Sequence, residues 1–179
     1  MAVYSSVRTA IRNVALTSLS EFTNPVVIFS NSNGTEPAES YAIVNILSIT
    51  QIGHHNTSTL TNTSEELSIQ VVYECLVQFS FIGSLAGDMV QSFTQRINNN
   101  PVALESLKAN KLSLMRKSQI RRAPQKRDTQ WVEYQTIDVT FSYVVNTQQL
   151  VDVVEGVVIS DNTSEIPVIT KIPESIIYP

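Results

Sequence analysis

Over residues 67–81, apolar side chains fall at every second position: Leu67, Ile69, Val71, Tyr73, Cys75, Val77, Phe79 and Phe81. Between them stand Ser68, Gln70, Val72, Glu74, Leu76, Gln78 and Ser80. A period of two is the pattern of a strand with one buried face. At ~3.3 Å per residue a continuous strand of this length reaches about 50 Å, whereas most strands hold roughly 3–10 residues. The segment must bend, bulge or run past its own core, and an overrun leaves edge groups for a partner.

Elsewhere the period changes. Val3, Val7, Ala10, Ile11, Val14 and Leu19 follow a helical stripe, with Arg8, Arg12 and Asn13 off it, which predicts an amphipathic helix over residues 4–20. Asn24-Pro25 closes it. Val26, Val27, Ile28 and Phe29 predict a short buried strand, residues 31–40 a loop, residues 41–52 a second strand and residues 53–64 a polar loop. After the alternating run, Ser84 is placed to cap a helix with Asp88 in its first turn and Leu85, Met89, Phe93 and Ile97 on one face. Asn100-Pro101 ends that helix, and residues 102–109 predict a short second one. Residues 112–122 and 131–145 then read as strands joined by a hairpin loop over 121–128. In the second of them Ile137, Val139, Phe141, Tyr143 and Val145 alternate. Residues 151–159 read as a last edge strand.

This order predicts an α+β fold: a mostly antiparallel sheet of four to six strands with helices packed on one face. The expected division is a domain over residues 1–159 and an extended C-terminal arm over residues 160–179. Pro167, Pro173 and Pro179 punctuate that arm among Ile166, Val168, Ile169, Ile172, Ile176 and Ile177. These aliphatics are costly to leave in water and mark a candidate partner-docking segment.

Composition narrows the function. Of 179 residues, 42% are hydrophobic, enough for a core, and only 16% are charged. Ser, Thr, Asn and Gln fill 61 positions instead. A polar but uncharged surface is cheap to desolvate and fits an interface; a lineage bias in composition fits equally. No apolar run approaches the ~18 residues of a membrane span, and the first twenty residues lack the apolar run of a signal peptide. The expectation is a protein made in the cytoplasm, kept off membranes and carried elsewhere only within a larger particle.

Catalytic chemistry finds little support. His54-His55 are adjacent, so on extended backbone they point apart and do not converge on one metal; a solvated loop is the simpler reading. Cys75, the single cysteine, lies in the apolar register of a strand, as a small buried hydrophobe does. Five glycines form no phosphate-binding pattern. Asp128, Glu133 and Asp138 are spread along a strand instead of clustered. The sequence therefore nominates no catalytic, metal or cofactor residue.

One feature exceeds its background. Lys111, Arg116, Lys117, Arg121, Arg122, Lys126 and Arg127 are seven of the twelve basic residues, gathered within 17 positions of a chain with net charge −4. Three readings stay open: a solvated basic hairpin, a loop facing an acidic neighbouring subunit, or contact with DNA phosphates. Stacking aromatics are not interleaved with it, so base-specific binding has no support.

The helix over 3–20, followed by PVVIFSNSN, YAIVNILSI, LSIQVVYECLVQFSFIG, SLAGDMVQSFTQRI, KLSLMRKSQIRRAP and QWVEYQTIDVTFSYVV, resembles the tail terminator and neck proteins of tailed bacteriophages, particularly those with contractile tails. The likeness lies in element order and texture over residues 1–159; residues 160–179 have no counterpart in it. It implies a non-enzymatic structural protein of the virion neck that closes into a ring, a hexamer, without cofactor. Such a ring ends growth of the tail tube, meets tube and possibly sheath on one side and the head connector on the other, and passes DNA through its lumen without sequence-specific contact. The basic hairpin would then line the lumen or face a neighbour. The alternatives are another head-completion or connector-binding neck protein, or a small cytosolic enzyme or ligand-binding domain.

Overall fold

The computed structural model describes residues 3–58, 66–127, 129–150, 157–159 and 168–170. It opens with α1 (Val3–Ser18), β1 (Val26–Phe29), β2 (Tyr41–Ser58) and β3 (Glu66–Ile82). Next come α2 (Ala86–Asn99), α3 (Pro101–Ala109), β4 (Leu112–Lys117) and β5 (Arg121–Arg122). The short strands β6 (Gln125–Arg127) and β7 (Gln130–Val132) precede the long β8 (Tyr134–Leu150), and β9 (Val157–Ile159) and β10 (Val168–Thr170) close the order. The fold is α+β, with a mixed six-stranded sheet in the order β1-β2-β3-β8-β4 and β5 also paired to β8.

The two alternating runs become neighbours at the centre of this sheet. Cys75, Val77, Phe79 and Phe81 of β3 and Ile137, Val139 and Phe141 of β8 have no exposed surface. Above them pack Val7, Ile11 and Val14 of α1, Met89, Phe93 and Ile97 of α2, and Leu107 of α3. Each such burial stabilises the fold by about 1.5–3 kcal/mol relative to leaving the side chain in water. The aromatic centre is tight: Phe93 lies 4.6 Å from Phe79 and 5.6 Å from Phe81, centroid to centroid, and Phe141 meets Phe79 edge-on at 6.4 Å. Towards its start β3 runs out of this core, since Val71 and Tyr73 are only half-buried. Arg8, off the apolar stripe of α1, lies over the Phe29 ring at 4.1 Å and seats the helix on β1.

Several local expectations give way to tertiary structure. Consecutive strands were expected to pair antiparallel, yet β1 and β2 are parallel, Val26 opposite Tyr41 and Phe29 opposite Val44. A four-residue strand is only about 13 Å long, and residues 30–40 suffice to carry the chain back beside it. The polar stretch expected as a loop over 53–64 is strand through Ser58 and again from Glu66, with residues 59–65 outside the described set. Gln51, Ile52, Gly53 and His54 are exposed, and a strand in water needs ladder hydrogen bonds more than an apolar face. Ser84 does not cap α2. The Leu85 N–H donates instead to Ser40 Oγ at 3.0 Å, and Leu85 is left 47% exposed while Met89, Phe93 and Ile97 are buried. Asn100 ends α2 and caps α3, its side chain accepting from the Val102 N–H at 2.9 Å with Pro101 in the first turn.

The strand expected over 112–122 is two strands, with a bulge between Leu114 and Arg116 that leaves Met115 exposed. The loop expected over 121–128 holds β5 and one arm of a second hairpin. Pro124 cannot donate to a ladder, so pairing stops there and resumes as β6 with β7, Lys126 opposite Trp131 and Arg127 opposite Gln130. Of the edge strand expected over 151–159, residues 157–159 form β9, antiparallel to β10 with Val168 opposite Ile159, and residues 151–156 lie outside the described set.

The chain divides into two compact units. Met1–Asn56 with Gln70–Thr147 forms the first, and Thr57–Ile69 with Gln148–Pro179 the second. The helices, the aromatic core and the basic cluster all lie in the first.

Candidate functional site

The basic cluster and the C-terminal arm are what the sequence singles out for function, and the members of the cluster are mostly engaged. Arg116 Nη2 donates to Glu74 on β3 at 2.9 Å, and its Nε to Thr140 on β8 at 3.1 Å. Arg121 Nη2 donates to Asp138 at 2.5 Å, and the other oxygen of that carboxylate accepts from Gln78 at 3.2 Å. Arg122 grips Glu133 through Nε and Nη2 at 2.6 and 2.9 Å. Arg127 pairs with Glu36 in the loop before β2. Lys117 Nζ donates to the Thr94 carbonyl of α2 at 2.9 Å. Lys111, at the turn into β4 with φ 57°, and Lys126 have no carboxylate partner among the described residues.

Strand register explains these pairs. Arg121 lies opposite Thr136 and Arg122 opposite Gln135, so each acid is a diagonal neighbour two positions from its opposite residue, Asp138 further along β8 and Glu133 just before β8 begins. Two of the carboxylates that read as merely spaced along a strand, Glu133 and Asp138, are spaced to meet guanidiniums, and Asp128 lies outside the described set. Exposed ion pairs stabilise little, with a median near 0–1 kcal/mol. Their larger consequence here is cancellation of charge: among the described residues the densest basic stretch keeps three ammonium groups without a carboxylate partner, Lys111, Lys117 and Lys126, instead of seven such cations.

Glu36 also accepts from the Tyr41 hydroxyl on the same oxygen that Arg127 approaches. The Tyr41 hydrogen bond, then that of Arg127, holds the Glu36 carboxyl below the usual range. Glu133 is lowered likewise, first by its hydrogen bond to Arg122. Burial, then the bond to Glu36, pushes the Tyr41 hydroxyl up. Depressed carboxyls contribute stability above the unfolded value of about 4.3 and lose it as pH falls through the folded value. Both clasps therefore persist through neutral pH.

Beside the clasps lies an open cleft of about 610 Å³, walled by Gly83, Pro124, Trp131 and Val132 and flanked by the Arg122–Glu133 pair. Trp131, the single tryptophan, is 71% exposed and is the most exposed large apolar side chain among the described residues. One aromatic among polar residues carries no period, so nothing in the local pattern marks Trp131 as functional.

The described residues contain no grouping of three His, Cys, Asp or Glu side chains able to hold a metal. His54 is exposed on β2. No described helix is long and apolar enough to cross a membrane. Cys75 is fully buried, and burial, then the charge of Glu74, pushes its thiol up to about 11. The intact protein should therefore resist iodoacetamide at pH 8 and react once denatured, as mass spectrometry would read. Rapid native alkylation would mean that the buried face of β3 opens. Of the arm residues, Val168 and Ile169 sit in β10 opposite Ile159 and Val158, while Ile166, Ile172, Ile176 and Ile177 lie outside the described set.

A family model described as phage neck terminator protein matches residues 2–166. No curated protein matches. Among solved structures, the PVC sheath/tube terminator of an extracellular contractile injection system, in its extended state, is similar at 11% identity and TM-score 0.46 over 93% of this chain. The match takes in 65% of that chain, just under two thirds of its length. A second solved chain, carrying no functional name, is similar at 11% identity and TM-score 0.35, over 82% of this chain and 97% of its own. Both scores are below 0.5, so the family match is the finding that bears on function.

Proposed function

The chain belongs to the phage neck terminator family, and from that membership we propose that it is a structural virion protein at the head-proximal end of the tail. There it forms a closed ring, a hexamer, that ends tube growth, meets the tail tube and the head connector, and lets DNA pass. The family match over residues 2–166 is the observation that carries this reading.

The physical chemistry of the chain is compatible with it. Heterologous contacts between identical subunits close into rings when the rotation permits. β4 and β1 end the strand order of the main sheet, and such edges are sites of strand addition. Passing DNA would meet a largely neutral surface, because Arg116, Arg121, Arg122 and Arg127 are paired within the chain. Contact with phosphate then rests on Lys111, Lys117 and Lys126, few enough charges that its salt dependence per copy is shallow, with a slope near −3 at most by the rule of about −0.9 per neutralised phosphate. A lumen that slides past DNA favours such weak attachment.

The arm over residues 160–179 is proposed to dock on a neighbouring molecule, with residues 1–159 as the assembling domain. The test is light scattering with negative-stain imaging of the purified protein, alone and with tail-tube subunits. Rings, or caps on tube ends, are expected for the full chain, and weaker assembly with an unchanged melting temperature for a chain lacking residues 160–179. A stable monomer that ignores tubes would overturn the terminator reading in favour of a connector-side role in the neck.

A further inference from the structure

We propose that Asn33 is a site of spontaneous covalent modification: the backbone nitrogen of Gly34 displaces its side-chain amide, leaving aspartate and isoaspartate in the loop between β1 and β2.

The chemistry sets the requirements. The Gly34 nitrogen gives up its proton to solvent base and attacks the side-chain carbonyl carbon of Asn33, closing a succinimide ring. The bond from that carbon to the side-chain nitrogen breaks, and the nitrogen leaves as ammonia. Water then opens the ring at either carbonyl. One opening gives aspartate; the other gives isoaspartate, whose main chain runs through the side-chain methylene. The balance is one water consumed and one ammonia released, with no oxidation or reduction. The attacking amide must therefore be uncrowded, able to rotate into place and not already donating a hydrogen bond.

Asn33-Gly34 is the one Asn-Gly pair in the chain, and residues 31–36 are all exposed. A Cβ built on Gly34 would meet nothing within 4 Å, and a glycine backbone has the widest range of conformations from which to attack. The Gly34 N–H donates to no backbone carbonyl among the described residues. The other described asparagines fail on that last requirement. Those inside α1, α2, β2 and β8 precede amides committed to helix or sheet. Asn31, Asn99 and Asn110 precede the amides of Ser32, Asn100 and Lys111, which donate to the Phe29, Arg96 and Lys108 carbonyls at 3.1, 2.9 and 3.0 Å. Asn24 and Asn100 precede prolines, whose nitrogen carries no hydrogen to give up. The sequence marks Asn33 by its neighbour, and the fold withholds the rest.

Location decides the consequence. Residues 30–40 connect the parallel strands β1 and β2, and Glu36 of this loop meets Tyr41 and Arg127. Each conversion adds a carboxylate to a chain of net charge −4. Along the backbone the new charge lies at most ~11 Å from Glu36. Both groups are exposed, and at physiological salt the Debye length is about 8 Å, so their repulsion is largely screened. Conversion should change the charge of the surface and leave the fold standing.

The full-length protein, folded and in urea, would be aged at neutral and at alkaline pH. Peptide mass spectrometry with detection of isoaspartate reads the products, and ion exchange with thermal melting reads the intact chain. In the folded protein Asn33 is expected to convert alone, to both products and faster at alkaline pH, giving a more acidic form with an unchanged melting temperature. Gly34→Ala should slow conversion about tenfold, since a Cβ shields the nitrogen and narrows its approach. In urea Asn31, released from the turn to Phe29, should convert as well. Asn33 left intact in the folded protein, whatever happens in urea, overturns the site. Conversion of Asn31 or Asn110 at a similar rate in the folded protein overturns the selection by the fold. Aspartate without isoaspartate, or a rate unchanged in Gly34→Ala, overturns attack by the Gly34 nitrogen.

Discussion

Replacing Phe93 by alanine should destabilise the protein by about 4 kcal/mol and lower its melting temperature by roughly 8–16 °C, using the 2–4 °C per kcal/mol typical of chains this size. The reasoning starts from position. Phe93 sits in the middle of α2, fully buried, and its ring meets Phe79 and Phe81 of β3 at 4.6 and 5.6 Å. Truncation removes the transfer free energy of the ring and leaves a cavity between a helix and the central strand. The neighbours are aromatic rings fixed on a hydrogen-bonded sheet, so the site collapses poorly. Phe93→Leu, which keeps most of the volume, should cost well under half as much. Set against the 5–15 kcal/mol that holds a typical domain together, the alanine variant is the larger threat by far. Urea titration followed by circular dichroism checks both. A loss below about 1.5 kcal/mol would mean that α2 is not packed on β3 as described.

Much of that core was legible in the sequence because burial on one face writes itself as period. Cys75, Val77, Phe79, Phe81, Ile137, Val139 and Phe141 were expected inward from alternation alone, and all are fully buried. The same logic succeeded on α1, where Val7, Ala10, Ile11 and Val14 face the sheet. Period says which side of an element is buried; it does not say against which partner. The parallel pairing of β1 with β2 and the adjacency of β3 and β8 are tertiary choices that the local pattern leaves open. The helix start at Ala86 shows the same limit, since the N–H of Leu85 just before it donates to Ser40, 45 residues upstream.

The basic run shows the limit most clearly. Counted along the chain, the stretch from Lys111 to Arg127 contains no acid. In space, Glu36, Glu74 and the nearby pair Glu133 and Asp138 come to it from three different places in the sequence. One-dimensional charge asymmetry overstated the field, because strand register is what decides which charges meet. Trp131 is the converse case: an isolated aromatic with no periodic partner became informative only when its exposure and its cleft were known.

Gly83→Ala should be the most costly of the described glycine-to-alanine changes, at about 3 kcal/mol, because two independent penalties coincide there. Its φ of 109° lies where a side chain is strained whatever space surrounds it. A Cβ built on it would also stand 2.5 Å from Ser40 Oγ and 2.8 Å from Ser40 Cα. The oxygen can rotate away, but the backbone carbon cannot, and rotation gives up the hydrogen bond that starts α2. The Gly83 N–H meanwhile donates to the Glu133 carbonyl at 3.1 Å, so this residue links the end of β3, the start of α2 and the junction before β8. Two other glycines separate the penalties. Gly53 has φ 68° with nothing within 4 Å, so Gly53→Ala should carry strain alone, about 1 kcal/mol. Gly34 has open space and no positive φ, so Gly34→Ala should change stability by less than ~0.5 kcal/mol. Combining Ser40→Ala with Gly83→Ala should recover only part of the loss, because the contact with Ser40 Cα survives; a double-mutant cycle in urea measures that coupling. Full recovery would assign the whole penalty to the hydroxyl, and equal losses at Gly53 and Gly83 would assign it to backbone strain alone.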